Sequence, residues 1–389
     1  MFRLGKLVTR AAFAIVLVAL PALALAAGPS AVPGTWRRLP TAPIQPRSPV
    51  VGVWTGTKLL VFGRAQPTPP WSVDVAAAYS PAAGTWRPLT PLHGRKGNFE
   101  GRYWAVWTGK RMLVLGPFDF QAFDPLTNHW RQPAGASGGG AGGLVVWSGH
   151  EMIDWGGGCC GDASSGGSAY NPTTNAWRKL TPSPLAPSQQ PIGAWTGREL
   201  IIFVSGLDPD GKPYPAALAR AAAYNPATDT WRRISPLPAP RSGANAVWDG
   251  REVLVVGGAG APEGAKPPRL ASIGFAYDPA TNGWRQLPPM GSGRRQAAMV
   301  WTGRRLLVWG GSQTAGAGLP VTPSRGLAYD PAANRWSQFP GAPLLGRLDP
   351  MAIWTGRAMV IWGGYRPHSP LGSGTRFFTD GAVFTLATP

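Results

Sequence analysis

Apolar and polar positions in this chain repeat one arrangement seven times. An apolar segment ends in Trp, Gly follows two residues later, and a second apolar run comes next. The stretch Asn245-Ala246-Val247-Trp248-Asp249-Gly250-Arg251-Glu252-Val253-Leu254-Val255-Val256-Gly257 is a complete copy. The Trp occupies positions 54, 107, 147, 195, 248, 301 and 354, and Gly stands two places after each. Eight residues beyond the Trp is an apolar residue, Phe62, Leu115, Trp155, Phe203, Val256, Trp309 or Trp362. Gly follows that residue in every copy but one, where Val204 stands instead. Such short segments, rich in β-branched and aromatic residues and broken by a Gly able to take positive φ, predict two strands joined by a hairpin. In the copy above, Asp249-Gly250 would form its two-residue turn. The second strand is apolar on both faces, so both faces must be covered.

A second block sits in register with the first: an aromatic residue, one residue, Pro, four residues, Trp. It runs Tyr79 to Trp86, Phe123 to Trp130, Tyr170 to Trp177, Tyr224 to Trp231, Tyr277 to Trp284 and Tyr329 to Trp336. This block predicts a third strand, a tight loop and a fourth strand. Each unit is then a four-stranded antiparallel blade that cannot bury its own faces, whereas seven blades in a ring cover one another. The predicted fold is all-β, a seven-bladed β-propeller. Its blade cores lie at about 50–90, 100–135, 142–181, 190–236, 244–288, 296–340 and 348–387 plus 34–39. The last assignment follows from a missing piece. The tail Gly381–Leu386 has no closing Trp after it, while Gly34-Thr35-Trp36-Arg37-Arg38-Leu39 matches Gly84-Thr85-Trp86-Arg87-Pro88-Leu89 at the other end. Pairing the two would leave no open sheet edge. The Trp columns read as packing residues.

Composition agrees with this reading: 53 Gly, 43 Pro and 19 Trp with only 14% charged residues imply many tight turns and little long helix. Residues 1–26 carry Arg3, Lys6 and Arg10, an apolar run and Ala24-Leu25-Ala26, the pattern of a secretory signal peptide. An uncleaved anchor is the other reading of that segment, although its apolar run falls short of a full span. No later stretch is long and apolar enough to cross a membrane. Residues 27–389 would form a single propeller, secreted or periplasmic and associated with the cell envelope, and monomeric. The formal charge is +19; without residues 1–26, 34 basic and 18 acidic residues leave +16. Such a field attracts anions, unless it only reflects a base-composition bias toward Arg. An exported location argues against nucleic acid as a partner. The two cysteines, Cys159 and Cys160, are adjacent and cannot staple distant parts of the chain. They form either a vicinal disulfide or two buried thiols.

These columns resemble the kelch repeat, marked by a Gly pair ending strand two, a Tyr in strand three and a Trp in strand four. The Gly pair is complete at Gly156-Gly157, Gly257-Gly258, Gly310-Gly311 and Gly363-Gly364, and reduced to Gly63 and Gly116 in the first two copies. The resemblance covers about residues 34–388 and implies a propeller. It does not fix a function, because kelch propellers include binding scaffolds, the propeller of galactose oxidase and a sialic-acid mutarotase.

The blade order puts the tight Trp-x-Gly turns and the three-to-four loops on one face, and the long variable connections on the other, where function is expected. Seven residues before the strand-one Trp stand Arg47, Arg241, Arg294 and Arg347, with Arg102 two places out of register. These five would ring the channel mouth, either to bind a carboxylate or phosphate or to tie loops together. A copper site of the galactose-oxidase kind would have to use His93 and His368 with Tyr103, Tyr214 and Tyr365, whose spacing matches no metal motif. Asp208-Pro209-Asp210-Gly211 lacks the later ligands of a calcium loop. No acid–base pair, nucleophile motif or phosphate loop is present, so no catalytic residue can be named, and no cofactor or metal is expected. The sequence predicts an exported binding or scaffold propeller for a glycan, an anionic polymer or a protein partner. A carbohydrate-acting enzyme is the alternative.

Overall fold

Each predicted unit folds because a strand pair with apolar faces needs a neighbour. The computed structural model describes residues 32–65, 73–91, 103–116, 119–134, 142–158, 162–205, 212, 215, 217–260, 269–314, 319–368 and 374–387. They form seven blades, each built on four antiparallel strands, and one two-stranded ribbon of Tyr365–Pro367 with Thr375–Phe377; we number the blades 1 to 7 from the Trp54 copy onward. Blade 5 is typical: Ser242–Trp248, Val253–Gly260, Phe275–Asp278 and Gly283–Gln286 pair in order, and a short strand, Arg269–Leu270, adds to the end of the second. Blade 7 takes its outer strand from the other end of the chain. Gly34–Arg38 pairs antiparallel with Gly381–Leu386, with Trp36 opposite Phe384. The innermost strands touch in a closed circle, from Val51–Trp54 in blade 1 round to Met351–Trp354 in blade 7 and back.

The core is divided into seven seams, each shared by two neighbouring blades. The seam between blades 4 and 5, for example, joins Ile201, Phe203 and Ala223 to Val253, Val255 and Tyr277. Strand two is buried on both faces because each face belongs to a different seam. Trp155, Trp309 and Trp362 are fully buried there. Each meets the strand-four Trp of the next blade, with ring centroids 6.3 Å apart for Trp155 and Trp231, 6.4 Å for Trp309 and Trp36, and 5.7 Å for Trp362 and Trp86.

The strand-four Trp column has a second role that its spacing did not reveal. All seven indole N–H groups donate to a backbone carbonyl of the preceding blade. Trp231 Nε1 reaches Thr181 O at 2.8 Å, Trp284 reaches Ser235 O at 3.1 Å, and Trp36 closes the circle on Pro340 O at 2.7 Å. The others reach Pro40, Thr90, Ala134 and Pro288. Beside this ring, the left-handed Asn or Asp of several three-to-four loops takes the strand-three Tyr hydroxyl and a backbone N–H of the preceding blade. Asn282 Oδ1, for instance, lies 2.9 Å from Tyr277 Oη and 2.8 Å from Ser235 N. The Gly pair serves the opposite face. Gly257 and Gly258 both have positive φ, and a Cβ on Gly257 would stand 2.4 Å from Arg294 O, so only Gly fits. Gly258 N then donates to that carbonyl at 2.7 Å, linking blade 5 to blade 6.

The hairpin between strands one and two differs in detail from the sequence reading. Trp248 pairs with Val253 and Asp249 N donates to Glu252 O, so the two tip residues are Gly250 and Arg251, one place later than predicted. Asp249 Oδ1 accepts from the N–H groups of Arg251 and Glu252, standing in for the backbone carbonyl of an ordinary turn. Thr or Ser occupies that position in the other six blades.

Candidate functional site

Strand one of each blade starts at the loop-side mouth of the channel, and five residues before its Trp the chain turns through a left-handed conformation in three successive blades. The residues are Gly243 at φ 64°, Gln296 at 55° and Asp349 at 42°. Gly adopts this conformation freely, but each non-Gly side chain there costs about 1 kcal/mol or more. Gln296 and Asp349 use their side chains at this position. Gln296 Nε2 donates to Asp349 Oδ2 at 2.9 Å and to Tyr365 Oη at 3.1 Å, while Asp349 N donates to Gln296 O at 2.9 Å. The pair joins blade 6 to blade 7 at the rim of a cavity of about 260 Å³. Asn245, Tyr103, Trp104 and Met351 also line this cavity. Asn245 is oriented by its Nδ2 bond to Ala297 O at 2.8 Å.

The adjoining wall, between blades 1 and 2, holds a charged group. Arg64 stands where the second Gly of the pair would be. Its Nε lies 3.4 Å from Asp74 Oδ1, and Nη2 donates to the Tyr103 hydroxyl. Asp74 is almost wholly buried, and burial pushes its carboxyl up to about 6 against the opposing pull of Arg64. Burial likewise pushes the Tyr103 phenol up to about 12. At neutral pH Tyr103 is therefore a neutral hydroxyl, held in place by Arg64.

Three of the five arginines predicted to ring the channel mouth are turned inward. Arg241, Arg294 and Arg347 are all buried, and their guanidinium groups are directed at backbone carbonyls of their own blades. Arg241 Nη1 donates to Gly257 O at 3.3 Å and Ile273 O at 2.8 Å. Arg294 reaches Gly310 O and Arg325 O, and Arg347 reaches Gly363 O and the Asp380 carboxylate at 2.7 Å. Arg347 also lies 3.9 Å from the centre of the Phe378 ring. Burial lowers the Arg241 and Arg294 guanidinium groups to about 10, which leaves both cationic at neutral pH. In this position they hold strand two to the connection that follows it. Arg47 is exposed, and its backbone N–H donates to Arg64 O at 2.7 Å. Arg102, Cys159 and Cys160 lie outside the described residues, as do His93 and Tyr214 of the copper set. Of that set's described members, Tyr103 and Tyr365 have their hydroxyls engaged by Arg64 and Gln296. No group of three or more potential metal ligands occurs among the described residues.

Reading the sequence by its repeats missed Gln296, Asp349 and Asn245. Their columns hold Pro, Arg, Gly, Gln, Trp, Met or aliphatic residues in other blades, so no repeated letter marks them.

No protein-family model matches the sequence. Among curated proteins, the chain is similar to alpha-scruin of Limulus polyphemus, with 26% identity over 147 residues, 38% of this chain and 15% of that protein. It is 32% identical to the Kelch-like protein terF of Aspergillus terreus over 162 residues, 40% of this chain and 35% of the relative. Kelch-like protein 36 of Bos taurus is 26% identical over 201 residues, 50% of this chain and 30% of the relative. The chain thus spans 15% to 35% of the length of these relatives. Seven four-stranded blades, most of them carrying the Gly, Tyr and Trp columns, and relatives of this kind make the chain a seven-bladed β-propeller similar to kelch-repeat proteins.

Proposed function

We propose that this chain is an exported binding propeller that receives a protein partner at the loop-side mouth of its channel. One observation carries this reading. Gln296 and Asp349 occupy adjacent left-handed positions at the rim and meet there through their side chains. Strain of this kind persists where the surrounding structure enforces it, and it concentrates at ligand clamps. The mouth offers a carboxylate, side-chain amides and a fixed Tyr hydroxyl, groups that suit the backbone and side chains of a polypeptide. Arg241, Arg294 and Arg347 are turned to backbone carbonyls, which weakens the case for a glycan acid or other anionic polymer at this face. Kelch-repeat relatives support a binding scaffold in general terms. Export rests on residues 1–26 and their A-x-A site.

The test compares affinity capture from the source organism by the parent protein, Asp349→Ala and Gln296→Gly. A protein retained by the parent and lost from both variants, at unchanged melting temperature, is the expected result. Equal capture by all three, or reproducible binding of a glycan in its place, would refute the reading. For export, the mass of the protein recovered outside the cytoplasm should correspond to a chain starting at Ala27.

A further inference from the structure

The face opposite the proposed site carries a second array. Each strand-one to strand-two hairpin has Gly and one further residue at its tip. That residue is Thr57, Lys110, His150, Arg198, Arg251, Arg304 and Arg357 in blades 1 to 7, and in blade 1 Lys58 follows directly. All are exposed. Strand one is the innermost strand, so the seven tips surround the turn-side mouth of the channel.

Five arginines elsewhere on this face are paired with acids. Arg178 is paired with Glu151 at 2.6 Å, Arg232 with Glu199 at 2.8 Å, Arg285 with Glu252 at 2.5 Å, and Arg305 with Asp330 at 3.0 Å. Arg111 pairs with Asp124 at 3.1 Å. These carboxylates are therefore already committed to those five arginines. The tip side chains of Lys110, Arg198, Arg251, Arg304 and Arg357, and that of Lys58, make no hydrogen bond or ion pair with any described residue. Propeller packing accounts for these pairs and gives no reason for the tips to be basic. Between blades 4 and 5 the ring also borders a groove of about 470 Å³, where Arg198 and Arg232 stand beside Trp248 and Pro279.

The geometry points to the turn-side mouth as a docking surface for an Asp/Glu-rich segment of a partner protein, held by the basic ring of hairpin tips. Charge complementarity makes the argument: an excess of unmatched cations on one rim attracts an acidic chain and speeds its association. The carboxylate is the favoured anion because this face already binds carboxylates through the same guanidinium fork, with both oxygens engaged in Arg178–Glu151, Arg232–Glu199 and Arg285–Glu252. The apolar flank of Trp248 and Pro279 would cover the stems of the acidic side chains. This surface is distinct from the loop-side mouth, so either site can fail its test without the other.

The test uses the full chain and a fluorescent oligoglutamate peptide, with affinity read by anisotropy over a salt series. Charge reversal of three tips together, Arg198→Glu, Arg251→Glu and Arg304→Glu, should weaken binding by about tenfold or more and flatten its salt dependence. The control reverses three exposed loop-side cations, Arg220→Glu, Arg269→Glu and Arg325→Glu, which makes the same change in net charge. It should lose much less affinity, and both triple variants should melt like the parent. Equal losses in the two variants would mean that the peptide senses only net charge, and would overturn the proposal. So would tip-dependent binding of polygalacturonate or polyphosphate with no binding of oligoglutamate, because the surface would then belong to a non-protein polyanion. If the tip variant melts lower, the single changes Arg251→Gln and Arg304→Gln give the same comparison. Unchanged affinity in both would reject the ring.

Discussion

At the scale of single residues, the departures from the repeat say more than the repeat. Seven places after the strand-one Trp stand Val61, Val114, Asp154, Ile202, Val255, Val308 and Ile361. Asp154 is the one acid in that aliphatic column, and it is almost wholly buried in the seam side of blade 3. Its Oδ1 and the hydroxyl of the cross-strand Ser168 have no hydrogen-bond partner among the described residues. Burial alone pushes its carboxyl from 3.8 up to about 8. The folded protein therefore keeps a proton that the unfolded chain releases at lower pH. The stability tied to that proton is intact below the unfolded value of 3.8 and is lost as pH rises toward about 8. Asp154→Val should raise the melting temperature at neutral and alkaline pH, by the equivalent of a few kcal/mol. It should also flatten the fall in stability across that window. A variant with the parent's pH slope would show that Asp154 is not its source. The conflict was legible in the sequence as a polar letter in an apolar column. Gln296 and Asp349 were not legible, because their importance lies in a backbone angle that no side-chain pattern encodes.

At the scale of elements, the Trp and Gly columns predicted strands and turns well because each reports a local need, either a large apolar side chain in a seam or a positive φ at a turn. Spacing could not tell which groups those residues bond across blades. Trp231→Phe keeps the ring in the seam but leaves Thr181 O without its donor, so a loss of about 1–3 kcal/mol is expected in denaturant unfolding. The arginine column tests the same point more sharply. Changing Arg241 and Arg294 together to Gln removes donors from the carbonyls of Gly257, Ile273, Gly310 and Arg325. We expect a loss of several kcal/mol of stability, since buried groups would be left unpaired. Melting close to that of the parent would free these arginines for the anion-binding role that their sequence position suggested.

At the scale of the whole molecule, the ring depends on one strand taken from far along the chain. Deleting residues 34–38 removes the partner of Gly381–Leu386 and the Trp36 bond to blade 6, and exposes a sheet edge. The shortened protein should melt lower and aggregate, and light scattering at matched concentration would detect this. The same closure sets an order of events in synthesis. Blades 1 to 6 are each made from contiguous sequence and can pair as they emerge, through short loops that close quickly. Blade 7 joins Trp36 to Phe384, so the earliest-made strand of the ring waits for the last-made one. For the length of translation the chain holds an unfinished sheet edge at its beginning. A factor that binds residues 34–38 during that interval would govern whether the ring shuts on itself or on the matching tail of a second molecule.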